Sequence, residues 1–267
     1  MKIGALIPVR LTSERLPGKA LKEIAGRPVL YYLLDRIAAC RHIAALTDIV
    51  VCTTEGADDD PLVEAAIAYG VSVFRGDKND IIKRFYNAMI RFGFDAVVQV
   101  DGDDPLTAVE YMDLTMDRLL SDSSLGIVWS EGLPLGTNCK SFSIAAMERV
   151  IRSYQSGQND TGFIYFFTKT DIVNKAIVEP TTELHVLEGA RLTLDYDADF
   201  DLFTRILCDL NVHGQIANLT EIVAYLKSHP EIMAINSGLD EEYWQRTKEK
   251  ARLSYFGTDG ARVEIDI

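Results

Sequence analysis

The first hundred residues alternate between two hydrophobic periods. Lys2–Pro8, Asp48–Thr53, Val71–Phe74 and Asp95–Val100 are short apolar runs, the pattern of strands buried on both faces. Between them apolar residues recur at helical spacing. Val29, Leu30, Leu33, Leu34 and Ile37 follow Pro28, a favoured first-turn residue. Pro61–Tyr69 reads as a helix that stops at Gly70, a suitable C-cap. Ile81, Ile82, Phe85, Met89 and Phe92 mark one helix face after Asp80, a residue type that caps helix starts. This alternation predicts parallel strands joined by crossover helices on both faces of a sheet.

The second half is less regular. Leu125–Trp129, Lys140–Ser143, the aromatic run Phe163–Thr168 and Ala190–Leu194 read as strands. Helices are expected over Ile144–Tyr154, Asp201–Asn211 and Thr220–Lys227, and the charged stretch Asp240–Ala251 is helix-prone. There is no internal repeat, low-complexity tract or Pro/Gly/Ser linker. The expectation is one α/β domain over residues 1–267, with an inserted subregion at 130–189 and a helical tail at 231–267.

Composition narrows this picture. Hydrophobic residues make up 48% and charged residues 25%, which excludes disorder. No apolar run approaches the ~18–20 residues of a membrane helix. The N-terminal segment reads as a buried strand rather than a signal peptide, so a cytoplasmic protein is expected. Lys and Arg number 27 against 40 Asp and Glu, a net charge of −13. That disfavours a nucleic-acid coat, which needs a basic face, but leaves room for a nucleotide held by a few local cations. Cys40, Cys52, Cys139 and Cys208 are scattered and read as buried or neutral thiols. His42, His185, His213 and His229 lack metal-ligand spacing, and His185 reads as a lone surface histidine. No Ser, Cys and His arrangement points to covalent hydrolysis.

In open parallel sheets ligands bind beyond the carboxyl ends of the strands. The first predicted strand runs into Pro8, Arg10, Thr12, Ser13, Arg15, Gly18 and Lys19. Arg offers a planar fork to phosphate oxygens and Lys a point charge. With hydroxyl and backbone donors between them, the three cations fit a polyphosphate cradle or, as readily, a solvated loop. The segment is not a Walker A loop. Asp95–Val100 runs into Asp101, Asp103 and Asp104. Mg²⁺ takes one or two carboxylates plus phosphates and water, so these acids suit it. Asp-Gly and Asp-Pro also suit a plain turn. Asp195 is the first residue after Ala190–Leu194 and is the better metal candidate of the second acidic cluster. Asp197 is a reserve, and Asp199 and Asp201 suit a helix start. The run Glu55–Asp60 reads as a solvated loop and helix start.

The segment IPVRLTSERLPGKAL resembles the signature of the sugar-activating cytidylyltransferases, which make CMP-activated 3-deoxy-octulosonate and sialic acids. Its R-x-x-S-x-R-L-P-G-K pattern, on Arg10, Ser13, Arg15, Leu16, Pro17, Gly18 and Lys19, is most similar to the spore-coat polysaccharide type of that group. The stretch from Gly102 to Leu106 resembles the family's G-D-x-P-L element, and R-L-T-L-D at Arg191–Asp195 its R-L-T-x-D element. Arg75, Gly76, Asp80, Arg84, Phe85 and Tyr86 resemble a third element, R-G-x-x-x-D-x-x-x-R-[FY]-Y. The resemblance is dense over residues 1–106 and near 190–203 and sparse between them. Where spore-coat relatives carry an E-H-V-T element, this chain has Asn159, Asp160, Thr161 and Gly162.

The resemblance implies a Rossmann-like nucleotidyltransferase sheet and a Mg²⁺-dependent transfer of CMP from CTP to a sugar acid or a phosphorylated sugar or polyol. Residues 1–129 and 190–230 would hold nucleotide and metal, and 130–189 the acceptor and a dimer contact. It implies catalytic roles for Arg10, Arg15 and Lys19. Nucleotide contacts would come from Pro8, Arg10, Ser13, Arg15, Gly18, Lys19, Arg75, Asp80, Arg84 and Asp103. The metal would be held by Asp103 and Asp195. Lys140 would face an anionic acceptor. A homodimer is expected, with the aromatic run Phe163–Phe167 a possible contributor to its interface. A regulatory protein that binds nucleotide without turnover, or a transferase for another nucleotide, are the alternatives.

Overall fold

The computed structural model describes residues 1–154, 162–210, 215–240, 244–245, 252–256 and 261–266. Strand β1 (Ile3–Pro8) leads through a one-turn helix (Lys19–Leu21) and a small ribbon, β2 (Glu23–Ile24) with β3 (Arg27–Pro28), into α1 (Val29–Ala38). There follow β4 (Ile49–Thr54), α2 (Asp60–Tyr69), β5 (Ser72–Gly76), α3 (Ile81–Phe92) and β6 (Ala96–Gln99). Next come α4 (Val109–Ser121), β7 (Leu125–Ser130), β8 (Lys140–Ser143), α5 (Ile144–Ser153), α6 (Tyr165–Thr168) and β9 (Asn174–Val178). The chain continues with α7 (Asp197–Leu210), α8 (Leu219–Ser228), α9 (Pro230–Met233) and a hairpin of β10 (Arg252–Phe256) and β11 (Arg262–Asp266).

Seven strands form one sheet in the order β5-β4-β1-β6-β8-β7-β9. All neighbours are parallel except β8, which runs antiparallel to both β6 and β7. Residues 130–189 therefore add β8 and β9 to the central sheet. Alternate residues of each strand feed opposite faces, because side chains alternate along a strand. Ala5 and Ile7 of β1 join Leu30, Leu33 and Leu34 of α1 and Met112 and Met116 of α4 on one face. Leu6 joins Ile82, Phe85 and Met89 of α3 and Met147 and Val150 of α5 on the other. A third cluster packs α7 and α8 onto Leu16 and Ile24 beside the first loop. Among the described residues no helix is long and apolar enough to cross a membrane.

The predicted elements of the first hundred residues are present, with Asp80 capping α3 by accepting from Lys83 N–H at 2.9 Å. The departures lie later. Helix α4 is not marked by the pattern above. Phe163–Thr168 is not a strand: a turn leads into α6, and Phe163, Phe166 and Phe167, at spacings of three and four, pack inward. The ring of Phe163 meets Phe85 edge-on at 5.2 Å. These three rings are buried in the core, while Ile164 and Tyr165 of the same run are half-buried.

Ala190–Leu194 lies outside the sheet, with Arg191 bridged to Leu135 and Leu194 N–H donating to Asp103 O at 2.8 Å. The predicted helix at Asp240–Ala251 lies mostly outside the described residues, and those described, Asp240, Trp244 and Gln245, are helical. Beyond it β10 pairs antiparallel with β11, so the tail is not helical throughout. Cys40, Cys52 and Cys139 are buried, and burial pushes the Cys52 thiol up to about 12; Cys208 is exposed.

Candidate active site

The carboxyl ends of β1 and β6 open into a cleft of ≈ 450 Å³, a volume suited to a small-molecule ligand. Pro8, Arg10, Ser13, Arg15 and Lys19 line it from the first loop, and Asp101, Asp103 and Asp104 from the loop after β6. Lys78 and Arg84 line it beside β5 and α3, Asn138 and Lys140 at the start of β8, and Thr193 and Asp195 from the segment outside the sheet. The parallel topology produces this convergence. β1 and β6 are neighbours in register, Leu6 beside Gln99, so their loops leave side by side.

Contacts made by residues of little apparent chemistry hold the first loop. Ser13 Oγ accepts from Leu16 N–H at 3.5 Å. Gly18 has φ 69, a left-handed conformation that glycine adopts without cost, and opens the one-turn helix carrying Lys19. Asp59, from the run read as solvated, is buried. It accepts from Leu11 N–H at 2.8 Å and from Thr54 Oγ1 at 2.5 Å, pinning the cationic loop to the end of β4.

Lys19 Nζ lies 2.8 Å from Asp103 Oδ2 and 3.0 Å from Asp195 Oδ1. Arg15 also donates to Asp195 and lies 5.0 Å over the Tyr196 ring. Lys140 Nζ donates to Asp101 at 2.6 Å, and Gln99 Nε2 donates to it at 2.8 Å. Burial pushes Asp101 up, but Lys140 and these hydrogen bonds outweigh it and hold it below its ordinary value. Burial likewise opposes Asp195, which Lys19 and Arg15 hold low. Asp103 is raised by burial and by the charges of Asp195 and Asp101 in spite of Lys19. Asp104 is raised well above the usual carboxylate range by burial and by Asp103 and Asp101.

Beneath Asp195 lies a buried network that sequence reasoning assigns only in part. Arg191, with its side chain 1% exposed, donates from Nη2 to Asp195 Oδ2 at 3.1 Å and from Nε to Asp199 Oδ1 at 3.2 Å. Asp199 Oδ2 accepts from the N–H groups of Asp195 and Tyr196, each at 2.9 Å, which fixes the turn presenting Asp195. Asp199 thus belongs to the helix start, as expected, and also to the support of the site. Asp197 is exposed, paired with Lys22 at 3.6 Å, and does not reach the cleft.

The profile of the cytidylyltransferase family matches residues 4–154. The chain belongs to the cytidylyltransferase family. An uncharacterized protein of Methanocaldococcus jannaschii is 31% identical over 252 residues, 93% of this chain and 100% of that one. A 3-deoxy-manno-octulosonate cytidylyltransferase of Geobacter metallireducens is 33% identical over 127 residues, 47% of each chain. The match thus spans about half the length of that relative. A solved cytidylyltransferase from Leptospira borgpetersenii has a TM-score of 0.77 at 25% identity, covering 87% of this chain and 97% of its own. A CMP:2-keto-3-deoxy-manno-octonic acid synthetase complexed with CTP shares the fold, with a TM-score of 0.60 at 16% identity over 78% of this chain and 99% of its own. These relatives agree with the CMP-sugar synthetase type and do not bear on the spore-coat likeness.

Within this cytidylyltransferase, most residues singled out from sequence meet in the cleft: Pro8, Arg10, Ser13, Arg15, Lys19, Arg84, Asp103, Lys140 and Asp195. Three do not line it. Gly18 shapes the loop. Arg75 donates to the carbonyls of Thr54 at 2.9 Å and Gly56 at 2.5 Å and pairs with Asp60, so it clamps the turn after β4. Asp80 caps α3 and accepts from Tyr154 OH at 2.6 Å. Lys78, Asn138 and Tyr165 were not singled out; only Lys78 carried a signal, lying inside the family's third element. His185 is buried between Tyr111 OH, at 2.9 Å, and Thr220 Oγ1, at 3.0 Å, rather than on the surface. His213 and Asn159–Thr161 lie outside the described residues.

The cleft's acids fit a divalent metal. Two carboxylates, Asp103 and Asp195, flank one point that a cationic group already marks. Asp104 Oδ1 is buried without a hydrogen-bond partner. Among the described residues no three acidic, His or Cys side chains converge as a closed metal cage. A pair of hard oxygen donors, with remaining positions left to phosphate and water, is the habit of Mg²⁺.

Gly102 tests the spacing of the two loops. A Cβ there would come within 2.6 Å of Pro8 O and 2.4 Å of Val9 Cγ2. Gly102→Ala is expected to cost about 1–3 kcal/mol of stability, as overpacking does. It should also lower kcat at least roughly tenfold, because misplaced reacting groups are costly. Urea unfolding and steady-state rates check both, and an unchanged kcat would count against the cleft as the reaction site.

Proposed function

We propose that this cytidylyltransferase binds CTP in the cleft with Mg²⁺ and transfers CMP to a sugar acid or a phosphorylated sugar or polyol, releasing pyrophosphate. One observation carries the reading: Arg10, Arg15 and Lys19 from the loop after β1 converge with Asp103 from the loop after β6 and with Asp195 from the segment beside them. A triphosphate needs the cations and its metal the carboxylates. Asp103 and Asp195 would hold Mg²⁺, which when bound supplies positive charge at the α-phosphate.

The protein's own residues do the rest by position and charge. An acceptor oxygen attacks the α-phosphorus, a hydroxyl acceptor giving up its proton to solvent, the bond to the bridging oxygen breaks, and pyrophosphate leaves with that oxygen. Arg10, Arg15 and Lys19 take the charge that builds on the β- and γ-phosphates. Arg84 and Lys78 extend the cationic wall towards the nucleotide. Such transfer rests mainly on positioning and electrostatics, so no dedicated general base is required. Lys140 and Asn138 stand on the acceptor side with residues 162–165, and the subregion 130–189 supplies the acceptor contacts. Two copies would associate as a homodimer.

Thermal unfolding with CTP, UTP, ATP and GTP, each with and without Mg²⁺, tests the nucleotide. Ligand at ~100 times its dissociation constant adds about 2.7 kcal/mol. For a chain of this size the midpoint rises by roughly 5–10 °C. The rise is expected for CTP with Mg²⁺, followed by pyrophosphate release when sugar acids or polyol phosphates are added. An equal rise with all four nucleotides would overturn CTP as the donor. A selective rise with no turnover on any acceptor would favour a binding protein instead.

A further inference from the structure

Lys19 stands where the proposed metal would. Its ammonium bridges Asp103 and Asp195, residues 84 and 176 positions away, and its side chain is only 13% exposed. Both contacts are charge-assisted hydrogen bonds. A metal held by the same two carboxylates would need oxygen distances of about 2.0–2.1 Å, which leaves no room for an ammonium between them. Arg15 is differently placed. It pairs with Asp195 and is braced on Tyr196, so it can remain while Lys19 moves. The lysine stem is flexible, and its head is a point charge that any phosphate oxygen can accept.

We infer that Lys19 is an exchangeable counter-ion that holds the metal position until the nucleotide arrives and then passes to the triphosphate. The inference rests on the proposed CTP and metal reading. Metal alone must expel an ion-paired ammonium that has no equivalent partner to receive it. Nucleotide alone must draw Lys19 away from two carboxylates, leaving Asp195 to Arg15 and Arg191 and Asp103 without its lysine. Arriving together, the two ligands exchange partners with Lys19 and leave no charge unpaired. Binding of each therefore strengthens the other, and by linkage the factor is the same in both directions. The device also withholds tight metal binding from the empty enzyme.

The test measures Mn²⁺ binding to the full chain by electron paramagnetic resonance, without nucleotide and with a non-hydrolysable CTP analogue. Wild type is expected to bind Mn²⁺ weakly alone and far more tightly with the analogue. Lys19→Met should tighten nucleotide-free Mn²⁺ binding roughly tenfold or more and shrink the effect of the analogue, within the range common for coupled sites. Lys19→Arg should leave nucleotide-free binding weak. Lys140→Met removes the same charge from Asp101 in the same cleft and should tighten Mn²⁺ much less.

Equal tightening in Lys140→Met and Lys19→Met would reduce the effect to net charge and overturn the inference. So would unchanged nucleotide-free binding in a folded Lys19→Met protein. Should that variant not fold, wild type decides through ¹³C-methylated lysines, the Lys19 signal being identified by its loss in Lys19→Arg. That signal should shift at saturating Mg²⁺ and analogue, and a signal that stays in place overturns the exchange. Wild type that binds no Mn²⁺ even with the analogue would instead sink the underlying functional reading.

Discussion

Asp103→Asn should lower kcat/KM by on the order of 10³-fold and leave the fold standing. The factor corresponds to about 4 kcal/mol of transition-state stabilisation, the scale of charge neutralisation by a bound metal. Asp103 is the acid best suited to separate chemistry from stability. Its side chain is 31% exposed, while Asp195 is 2% exposed and carries three cations. Lys19 retains Asp195 when Asp103 is neutralised. Burial and the neighbouring Asp195 and Asp101 charges already disfavour the Asp103 anion, so its loss relieves repulsion. The unfolding midpoint is expected within about 2 °C of wild type, as for a substitution away from the core. Pyrophosphate-release kinetics beside calorimetry check both parts. Activity within fivefold of wild type would remove Asp103 from the metal site.

Arg191→Met should have the largest effect on stability. Arg191 neutralises Asp195 and Asp199, whose side chains are 2% and 0% exposed. Removing one member of such a group leaves buried charge uncompensated, which costs about 3–5 kcal/mol. At roughly 2–4 °C per kcal/mol for a domain near this size, the midpoint should fall by roughly 6–20 °C. Turnover should fall as well at temperatures where the variant is folded. Asp199 would lose two of its donors from Arg191, and the turn it fixes is the one that presents Asp195. Arg191→Lys keeps the charge but not the planar fork and should recover only part of the loss. A midpoint within about 3 °C of wild type in Arg191→Met would show that the network is not a support of the fold.

What sequence could reveal divides along the range of the interactions. The first loop was legible because its chemistry is local: three cations and a Gly turn lie within ten residues. Asp103 was legible because it follows an apolar run that is β6, and the rule for parallel sheets places strand ends on one side. Asp195 was legible through the R-L-T-L-D resemblance, since the strand expected ahead of it lies outside the sheet. The roles of Asp59 and Arg191 were not. Asp59 serves Leu11, 48 positions earlier, and Arg191 acts through burial that no local pattern encodes.

The run Phe163–Thr168 illustrates a different failure. Its aromatic content favours strand, but Phe163, Phe166 and Phe167 carry the spacing of one helical turn, and packing against Phe85 and Phe142 decides for it. Ala190–Leu194 has the composition of a strand. Its bonds to Leu135 and to Asp103 O, instead of to a sheet neighbour, arise from tertiary structure alone. Lys140 shows a motif residue whose partner could not be read in advance: β8 enters the sheet beside Gln99, so the lysine meets Asp101.

The loop that precedes β8 is stitched to the strand-like segment ahead of Asp195. Leu192 N–H donates to Leu135 O at 2.7 Å, and Leu135 N–H to Ala190 O at 3.2 Å. A side chain at Gly136 would stand 2.1 Å from Leu192 O, so the two backbones touch where only glycine fits. The loop and the segment are therefore expected to tolerate change only together. A graft of residues 131–139 from another protein carries its own backbone path, and it is expected to be received only with a 190–195 segment shaped to match it. Were the proposed acceptor role of this region to hold, a change of acceptor would have to travel in such a matched pair, while the first loop could stay unaltered.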